Sequence, residues 1–556
     1  MTGPIEESIE TSVLIIGGGP VGLTSALLLA KYGIPSIIVE KYLGRLGQPK
    51  AHAINPRSLE ILRQSGLDTA QLRNAAARPA DTNKVRFGLS PMGLELGTLP
   101  FERQGEETKA ITPEPLFNIP QPELENWLME VIANNKLITL KRGFKWEACT
   151  AQQGDSSSVV SSVIERETER CIQITSKYML ACDGARSEAR EKLGIPFSII
   201  PDGPSQESHH VTIHFKADLT YLKPGIIWYA FGPKQQGSFL AYDRSSSWVY
   251  ITDWNQTKIS KETFTNDYCR KMINEAMGHE FPFEILSTTL WTTYPRIANF
   301  YRSKTHPQAF LLGDAAHAFP PTGGLGVNTG IADAQNLVWK IYAVEKGWAN
   351  EGLLDTYGGE RRPVALANAR QMRKFFSTRP DGVTNEELEQ NAAWREQFAI
   401  EIANDTEHFD SINLQLGYVY GGKAWDDVPC SLFNPICVPG SRLPHAWLSH
   451  QTLNQSSLDL IDGMEFVVLG SADSLSGCGS SIIDSISSIE VKILRLGQDF
   501  FCDDESWIEM MGISDQGKGV LIRPDQHVLG NVASAQDIQL LVSQFLLRND
   551  ALQSNH

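Results

Sequence analysis

The chain has 556 residues, 42% hydrophobic and 21% charged, an ordinary globular composition with room for two or three domains. Its formal net charge is −16 and its pI is near 5.3. That balance argues against nucleic acid as a partner, which needs a basic surface, and against electrostatic attachment to an anionic membrane.

Met1 to Glu10 carries three glutamates and no apolar core, so it reads as neither a signal nor a transit peptide. No run approaches the roughly 18 apolar residues of a membrane span. A soluble, cytoplasmic protein is the expectation. Ser12 to Ile16 is a short apolar run of the type found in buried parallel strands. Gly17, Gly19 and Gly22 follow it, with Pro20 and Val21 between, in the spacing G-x-G-x-x-G. Leu23 to Lys31 then reads as a helix and Ser36 to Val39 as a second strand, ended by Glu40 and Lys41. This is a βαβ unit with a dinucleotide fingerprint. Gly17 allows the tight turn, Gly19 lets a pyrophosphate approach the backbone, and Gly22 lets the helix pack on the strand. Glu40 is placed for the ribose hydroxyls of an adenosine. The fingerprint alone does not separate NAD from FAD. Its N-terminal place, and the lack of a second strand-GxGxxG-helix, favour FAD.

Gln48 to Gly66 is a loop feeding a helix that opens near Asn55-Pro56. Its basic residues are Lys50 and Arg57, and Arg57 suits a surface helix position. Leu67 to Pro115 is irregular and is expected to begin a second layer of strands. Asn118 to Leu128 contains a helix start at Gln121. Lys141 to Ile174 reads as strands with a serine-rich hairpin tip at Ser156 to Ser162. Tyr178 to Arg190 runs strand, Asp183-Gly184 turn, helix. Between Pro204 and Leu290 four alternating segments, VTIHF, IIWYAF, SFLAY and WVYITDW, read as antiparallel strands. Their aromatics Trp228, Tyr229, Tyr242 and Tyr250 are candidates to line an apolar pocket. His209, His210 and His214 lack a visible fourth ligand, so no metal site is expected.

Phe310 to Ile341 is the stretch around which the rest is organised. A short strand ends at Gly313-Asp314; Pro320-Pro321 follow; then Gly323, Gly324, Gly326 and Gly330 lead into a helix with Ile331, Ala334, Leu337, Val338 and Ile341 at helical spacing. Glycines let a backbone pass close to a flat ligand, and the helix start offers amides to an anion or electron-rich ring. Asp314 suits a ribitol or ribose hydroxyl, and by itself also an ordinary N-cap. The eight cysteines, Cys478 among them, form no Cys-x-x-Cys.

The segment GDAAHAFPPTGGLGVNTGIADAQNL (313–337) resembles the flavin-contacting segment of the FAD-dependent aromatic hydroxylases. This is the para-hydroxybenzoate hydroxylase family, and in particular its phenol hydroxylase-like branch. The resemblance implies an α/β fold: a Rossmann-like FAD-binding domain, an interleaved antiparallel β-sheet substrate domain and a C-terminal thioredoxin-like domain. The implied FAD-binding parts are 10–85, 116–200 and 293–380. The substrate domain takes 86–115 and 201–292, a linker 381–448, and the thioredoxin-like domain 449–556, without a redox cysteine pair. From Ser457 on, three strands and a final helix are expected.

By the same resemblance FAD contacts fall to Gly17, Gly19, Pro20, Val21, Gly22, Glu40 and Lys41. Further contacts are Gln121, Asp183 and Asp314, then Pro321, Gly324, Leu325, Gly326, Val327 and Asn328. Substrate contacts fall to Tyr229, Trp228, Tyr242 and Pro320. NADPH or NADH reduces the flavin, which reacts with O2 to a C4a-hydroperoxide and passes oxygen to a phenolic ring. Epoxidation or Baeyer–Villiger insertion on the same scaffold is the alternative, with non-catalytic flavin binding a third reading. Tyr229, His214 and His52 are candidates to deprotonate the substrate. Association into a homodimer stays open.

Overall fold

The computed structural model describes residues 5–44, 51–152, 155–199, 208–293, 295–320, 322–374, 385–422, 425, 427–450, 453–475, 479–483, 489–514 and 517–547. Lys50, Pro321 and Cys478 lie outside them. The first sheet is ordered Ile138–Arg142, Ser36–Glu40, Ile5–Ile16, Cys171–Ala181, Asp155–Glu165, Phe144–Gln152. Ala309–Leu311 pairs with the end of Cys171–Ala181. Val13, Leu14 and Ile15 are fully buried, as a strand covered on both faces requires. That strand is longer than its apolar run, because IEESIET pairs with residues 171–176. Five strands run parallel. Their carboxyl ends bring the turns after Ile16, Glu40, Ala181 and Leu311 to one edge, where open α/β sheets bind ligands.

Two local elements differ from the sequence expectation. Ser156 to Ser162 is not a hairpin tip but part of the strand Asp155–Glu165. Alternation buries Val159, Ser161 and Val163 on one face, and the chain reverses on either side of this strand, between Gln152 and Asp155 and again beside Glu169 at φ 58°. The stretch from Leu67 begins with helices Thr69–Ala75 and Pro79–Thr82, not strands. Asp68 caps the first by accepting from the Ala70 and Gln71 amides.

The second sheet is ordered Glu284–Thr293, Ser208–Lys216, Ser247–Asp253, Gln236–Asp243, Ile227–Phe231, Lys84–Gly88, Glu95–Pro100. One face packs on the helix Asn266–Met277 through Val211, Ile213, Phe215, Trp228, Phe239, Trp248 and Tyr250. The other face carries Phe87, Ile227, Tyr229, Phe231 and Leu240, covered by Phe398 and Ile402 of the helix Ala392–Asn404 and by Phe409.

The C-terminal sheet is ordered Ser481–Ile483, Glu490–Arg495, Phe466–Gly470, Gly519–Ile522, Val528–Val532. Phe466–Gly470 and Glu490–Arg495 are parallel; Gly519–Ile522 is antiparallel to Phe466–Gly470, and Val528–Val532 folds back antiparallel to Gly519–Ile522. With helices Glu505–Met511 and Ala535–Leu546 this is the thioredoxin-like arrangement. Among the described residues the expected three strands become five in this sheet and a sixth, Phe500–Phe501, in another, in part because GVLIRPDQHVLGNV folds back on itself at Gln526, whose φ is 64°. Among the described residues no helix is long and apolar enough to cross a membrane.

Buried charges weld this domain to the first. Arg523 binds Glu360 and Asp525; Lys340 also binds Glu360. Arg57 is 2% exposed, so it is not a surface residue; it donates to Gln526, Gln335, Glu60 and the Asp525 carbonyl. Arg442 grips Glu60 from the other side, with Nε 2.8 Å from Oε2. Burial pushes the Glu60 carboxyl up, but Arg442 and Arg57 outweigh it and hold it at about 2. A depressed carboxyl contributes stability that is present above its ordinary value of 4.5 and lost as pH falls through about 2. Arg442→Leu should therefore cost about 3–5 kcal/mol at pH 7, since it removes one partner of a buried ion pair. Urea unfolding checks this. The difference from the parent should shrink as pH falls from 4.5 toward 2, and an unchanged midpoint at pH 7 contradicts the assignment.

Candidate active site

The first glycine motif does what its spacing predicts. Gly17 has φ 104°, and a Cβ there would lie 2.4 Å from the Cys182 carbonyl oxygen. A Cβ on Gly22 would lie 2.1 Å from the Gly17 carbonyl oxygen. A Cβ on Gly19 would meet nothing within 4 Å. Two glycines thus serve packing and the third borders open space. Gly19 is the N-cap of the helix Pro20–Lys31 without a side-chain cap, so the first amides of this helix face that space. Pro20 occupies the first helical turn and is buried. Glu40 accepts from the Gly18 amide at 2.8 Å and the Tyr42 amide at 2.9 Å. Lys41 follows it, half-buried, its carbonyl held by Arg166.

The second glycine segment closes on the first. Gly313 has φ 59°, and a Cβ there would lie 3.0 Å from Val21 Cγ2. A Cβ on Gly330 would lie 2.5 Å from the same methyl and 2.9 Å from the Gly313 Cα. Val21 therefore nests between the two segments. Asp314 is exposed at this turn, its Oδ1 3.6 Å from where a Gly326 Cβ would be. Gly323 and Gly324 are left-handed at φ 79° and 61° and lead into the helix Leu325–Glu345. Pro320, just before them, is buried.

Asn328 is spent on the scaffold. It accepts from the Asn55 amide and Ser58 Oγ and donates to the Ala53 and Gly324 carbonyls. Leu325 points away, into a cluster with Ala367, Met372 and Leu414, and Val327 packs against the main core. Asp183 lies beside Gly17, but its carboxylate serves its own helix, accepting from Ser187 Oγ and the Ala189 amide. Burial pushes that carboxyl above its ordinary value. Gln121 accepts from the Ala51 amide and donates to Glu125.

Sequence reasoning missed Asp333. It is fully buried, 2.6 Å from His317 Nε2 and 2.8 Å from Arg361 Nε, and it accepts from the Gly313 amide at 3.2 Å. Burial would raise its carboxyl, but His317 and Arg361 hold it below the usual range. The available signal was a carboxylate within a helix stretch otherwise patterned for burial.

Of the pocket and base candidates, Tyr229, Tyr242 and His52 come together. Tyr229 stacks on Phe87 at 5.1 Å and lies 6.3 Å from Phe409. His52 lies 5.7 Å from the Phe101 ring and meets Tyr242 edge-on at 5.8 Å. Ala53 belongs to the same aromatic cluster and would be 3.2 Å from a Gly324 Cβ, so the cluster adjoins the glycine loop. Trp228 and Tyr250 do not line it. Side chains alternate across a strand, which sends both to the face under Asn266–Met277. His214 is three strands from Tyr229, bonded to Ser247 Oγ at 3.0 Å. Burial lowers both His52 and His214 and raises Tyr229 and Tyr242.

These features fit FAD: an unfilled space at Gly19, amides with no side-chain cap, and an exposed carboxylate at the second turn. Residues 10–372 match the family model described as FAD binding domain. The chain is 30% identical over 539 residues to a putative polyketide hydroxylase of Streptomyces halstedii, covering 93% of this chain and 92% of that protein. It is 27% identical over 574 residues to the phenol 2-monooxygenase of Pseudomonas sp. (strain EST1001), covering 94% and 89%. The solved structure of the flavin-dependent monooxygenase PieE, in complex with FAD and substrate, superposes with a TM-score of 0.87 at 26% identity, covering 98% of this chain and all of that one. The chain belongs to the FAD-dependent aromatic hydroxylases, in their phenol hydroxylase-like branch.

Proposed function

We propose that this enzyme hydroxylates a phenolic ring of a secondary metabolite, using NADPH or NADH and O2, with His52 as the base that activates the ring. The observation that carries the reading is the meeting of three features: the Gly17–Gly22 turn, the Gly313–Gly330 segment and the aromatic cluster around Tyr229 that adjoins the second of them at Ala53 and Gly324. Bound FAD would supply the redox chemistry: hydride acceptance from the nicotinamide, and transfer of one oxygen atom of O2 to the ring with the other released as water.

The chain's own residues bind, orient and move a proton. The first free amides of the helix after Pro20, and those opening the helix at Leu325, would hold the pyrophosphate and the flavin ring, and Glu40 and Asp314 would take sugar and ribitol hydroxyls. Phe87, Phe101, Phe409 and Tyr229 keep the pocket apolar, which excludes water from the reacting centre. Burial decides among the candidate bases. It keeps Tyr229 and Tyr242 protonated, as donors, whereas it keeps the His52 imidazole neutral and able to accept. His52 takes the phenol proton and leaves the ring electron-rich.

The glycines separate cofactor binding from folding. Gly19→Val should leave the apoprotein's melting temperature close to the parent's, because its side chain enters open space, yet the purified protein should be colourless. Gly22→Ala should lower the melting temperature as well, through its clash with the Gly17 carbonyl. Full flavin absorbance in Gly19→Val after desalting would contradict the placement.

For the base, kcat/KM with a turned-over phenol should hold to pH values below the ordinary imidazole value of about 6.5, because the folded His52 is lowered. It should fall only under that. In His52→Leu the rate should instead climb toward alkaline pH with ionisation of the free phenol. A His52→Leu profile identical to the parent's excludes this residue as the base.

A further inference from the structure

We infer that Asn118, itself fixed by Gln104, is a positioning residue that holds His52 in the neutral form protonated on Nδ1, so that Nε2 is the nitrogen that accepts from a phenol. The inference rests on the reading of His52 as the base.

The direction of each bond in this chain follows from the one before it. Gln104 Nε2 lies 3.1 Å from the Thr82 carbonyl oxygen and 2.8 Å from the Phe101 carbonyl oxygen. Carbonyls only accept, so the nitrogen of this amide faces them and the oxygen faces the other way. That oxygen accepts from Asn118 Nδ2 at 3.2 Å. Asn118 Oδ1 is thereby the atom turned to His52, 2.9 Å from Nδ1. An amide oxygen cannot donate, so Nδ1 carries the proton. In a neutral ring Nε2 then holds the lone pair. Nε2 has no protein partner among the described residues, and the ring lies beside Phe101 and Tyr242 in the pocket.

Every member is held from outside. Asn118 and Gln104 are buried. The strand pair Ala53–Ile54 with Phe117–Asn118 fixes both backbones, and the His52 carbonyl accepts from the Ile119 amide at 2.7 Å. Glu102, two residues before Gln104, is left-handed at φ 50°, a strained conformation for this residue type. Its amide bonds the Phe409 carbonyl and its carboxylate accepts from Ser411 and Gln415, which fixes the course of 101–104.

The choice of amide over carboxylate matters chemically. A carboxylate at the same place would also orient the ring, but it would favour the imidazolium and abolish the acceptor near neutral pH. No charged side chain contributes to the titration of His52. The groups facing it are Asn118 from its strand, Phe101 from its segment and the neutral Tyr242 from the second sheet.

The test is 15N-histidine NMR of the FAD-loaded protein across pH, with the His52 signal assigned by its absence in His52→Leu. The parent should show the neutral ring protonated on Nδ1 and a titration midpoint below about 6.5. Asn118→Asp should raise that midpoint by about one pH unit or more. Asn118→Leu and Gln104→Leu should shift the neutral ring toward protonation on Nε2. Retained flavin absorbance marks the folded variants, and at least one of the three suffices. A parent ring protonated on Nε2, or folded variants with the parent's tautomer and midpoint, overturns the inference. A His52→Leu enzyme with the parent's pH profile overturns the base reading instead, whichever tautomer the spectra give.

Discussion

The structure depends on how closely two backbones approach at Val21. Its methyls fill the gap left by two absent side chains, at Gly313 and Gly330, with less than 3 Å to spare for a Cβ on the second. That contact sets the distance between the first helix and the long helix Leu325–Glu345, and so the distance between the two ends of the cofactor cleft. Asp333 locks the arrangement from behind by holding the Gly313 amide while it binds His317 and Arg361. The exposed Asp314 is therefore carried by a turn whose own geometry is fixed by a buried carboxylate. The mobile-looking glycine loop is in fact pinned on both sides, by Asp333 at one end and by Asn328 at Ala53 and Gly324.

The glycine positions were legible because the missing Cβ is itself the information. A spacing that permits a tight turn, a close approach and a helix-on-strand contact has few other uses. The parallel sheet was legible for a related reason, since a strand buried on both faces must be apolar throughout. The pocket was only half legible. Trp228 and Tyr229 are adjacent aromatics in an apolar run, and composition does not say which faces the helix and which the cleft. Pairing settles it: Tyr229 stands opposite Phe87 and Trp228 opposite Arg86. The His52–Asn118 contact spans 66 residues of sequence and Arg57–Gln526 spans 469, so neither leaves a local periodic trace. Arg57 is the instructive failure. A long basic side chain on a short helix reads as solvated, and only a partner from the far end of the chain makes its burial affordable.

That partner explains a thioredoxin-like domain lacking a Cys-x-x-Cys. Its hairpin turn, 523–527, is inserted between helices of the first domain rather than exposed for redox exchange. Trp339 of the long helix sits in the C-terminal core, stacked on Phe545 at 6.0 Å, and donates to Asp525. The same helix begins at the glycine loop. Packing at its C-terminal half and the cofactor cleft at its N-terminus thus act on one rigid rod of 21 residues. The domain braces the helix that presents its first amides to the cleft.

The second sheet completes this division of labour. Its helix-covered face is dense with aromatics and fully buried, which makes it a rigid backing. Its other face changes character from strand to strand. At Ile227–Phe231 it offers Tyr229 and Phe231 under Phe398 and Phe409, a region dry enough for ring chemistry. Three strands away the same face presents Thr212 and His214, half-buried and polar. A sheet face that is apolar at one end and polar at the other can hold a ligand laid across it in one orientation. With the hard chemistry delegated to the flavin, orientation is the property the protein itself must encode. It does so by the gradient of one β-sheet face and by the direction of a few buried hydrogen bonds, rather than by a cluster of reactive side chains.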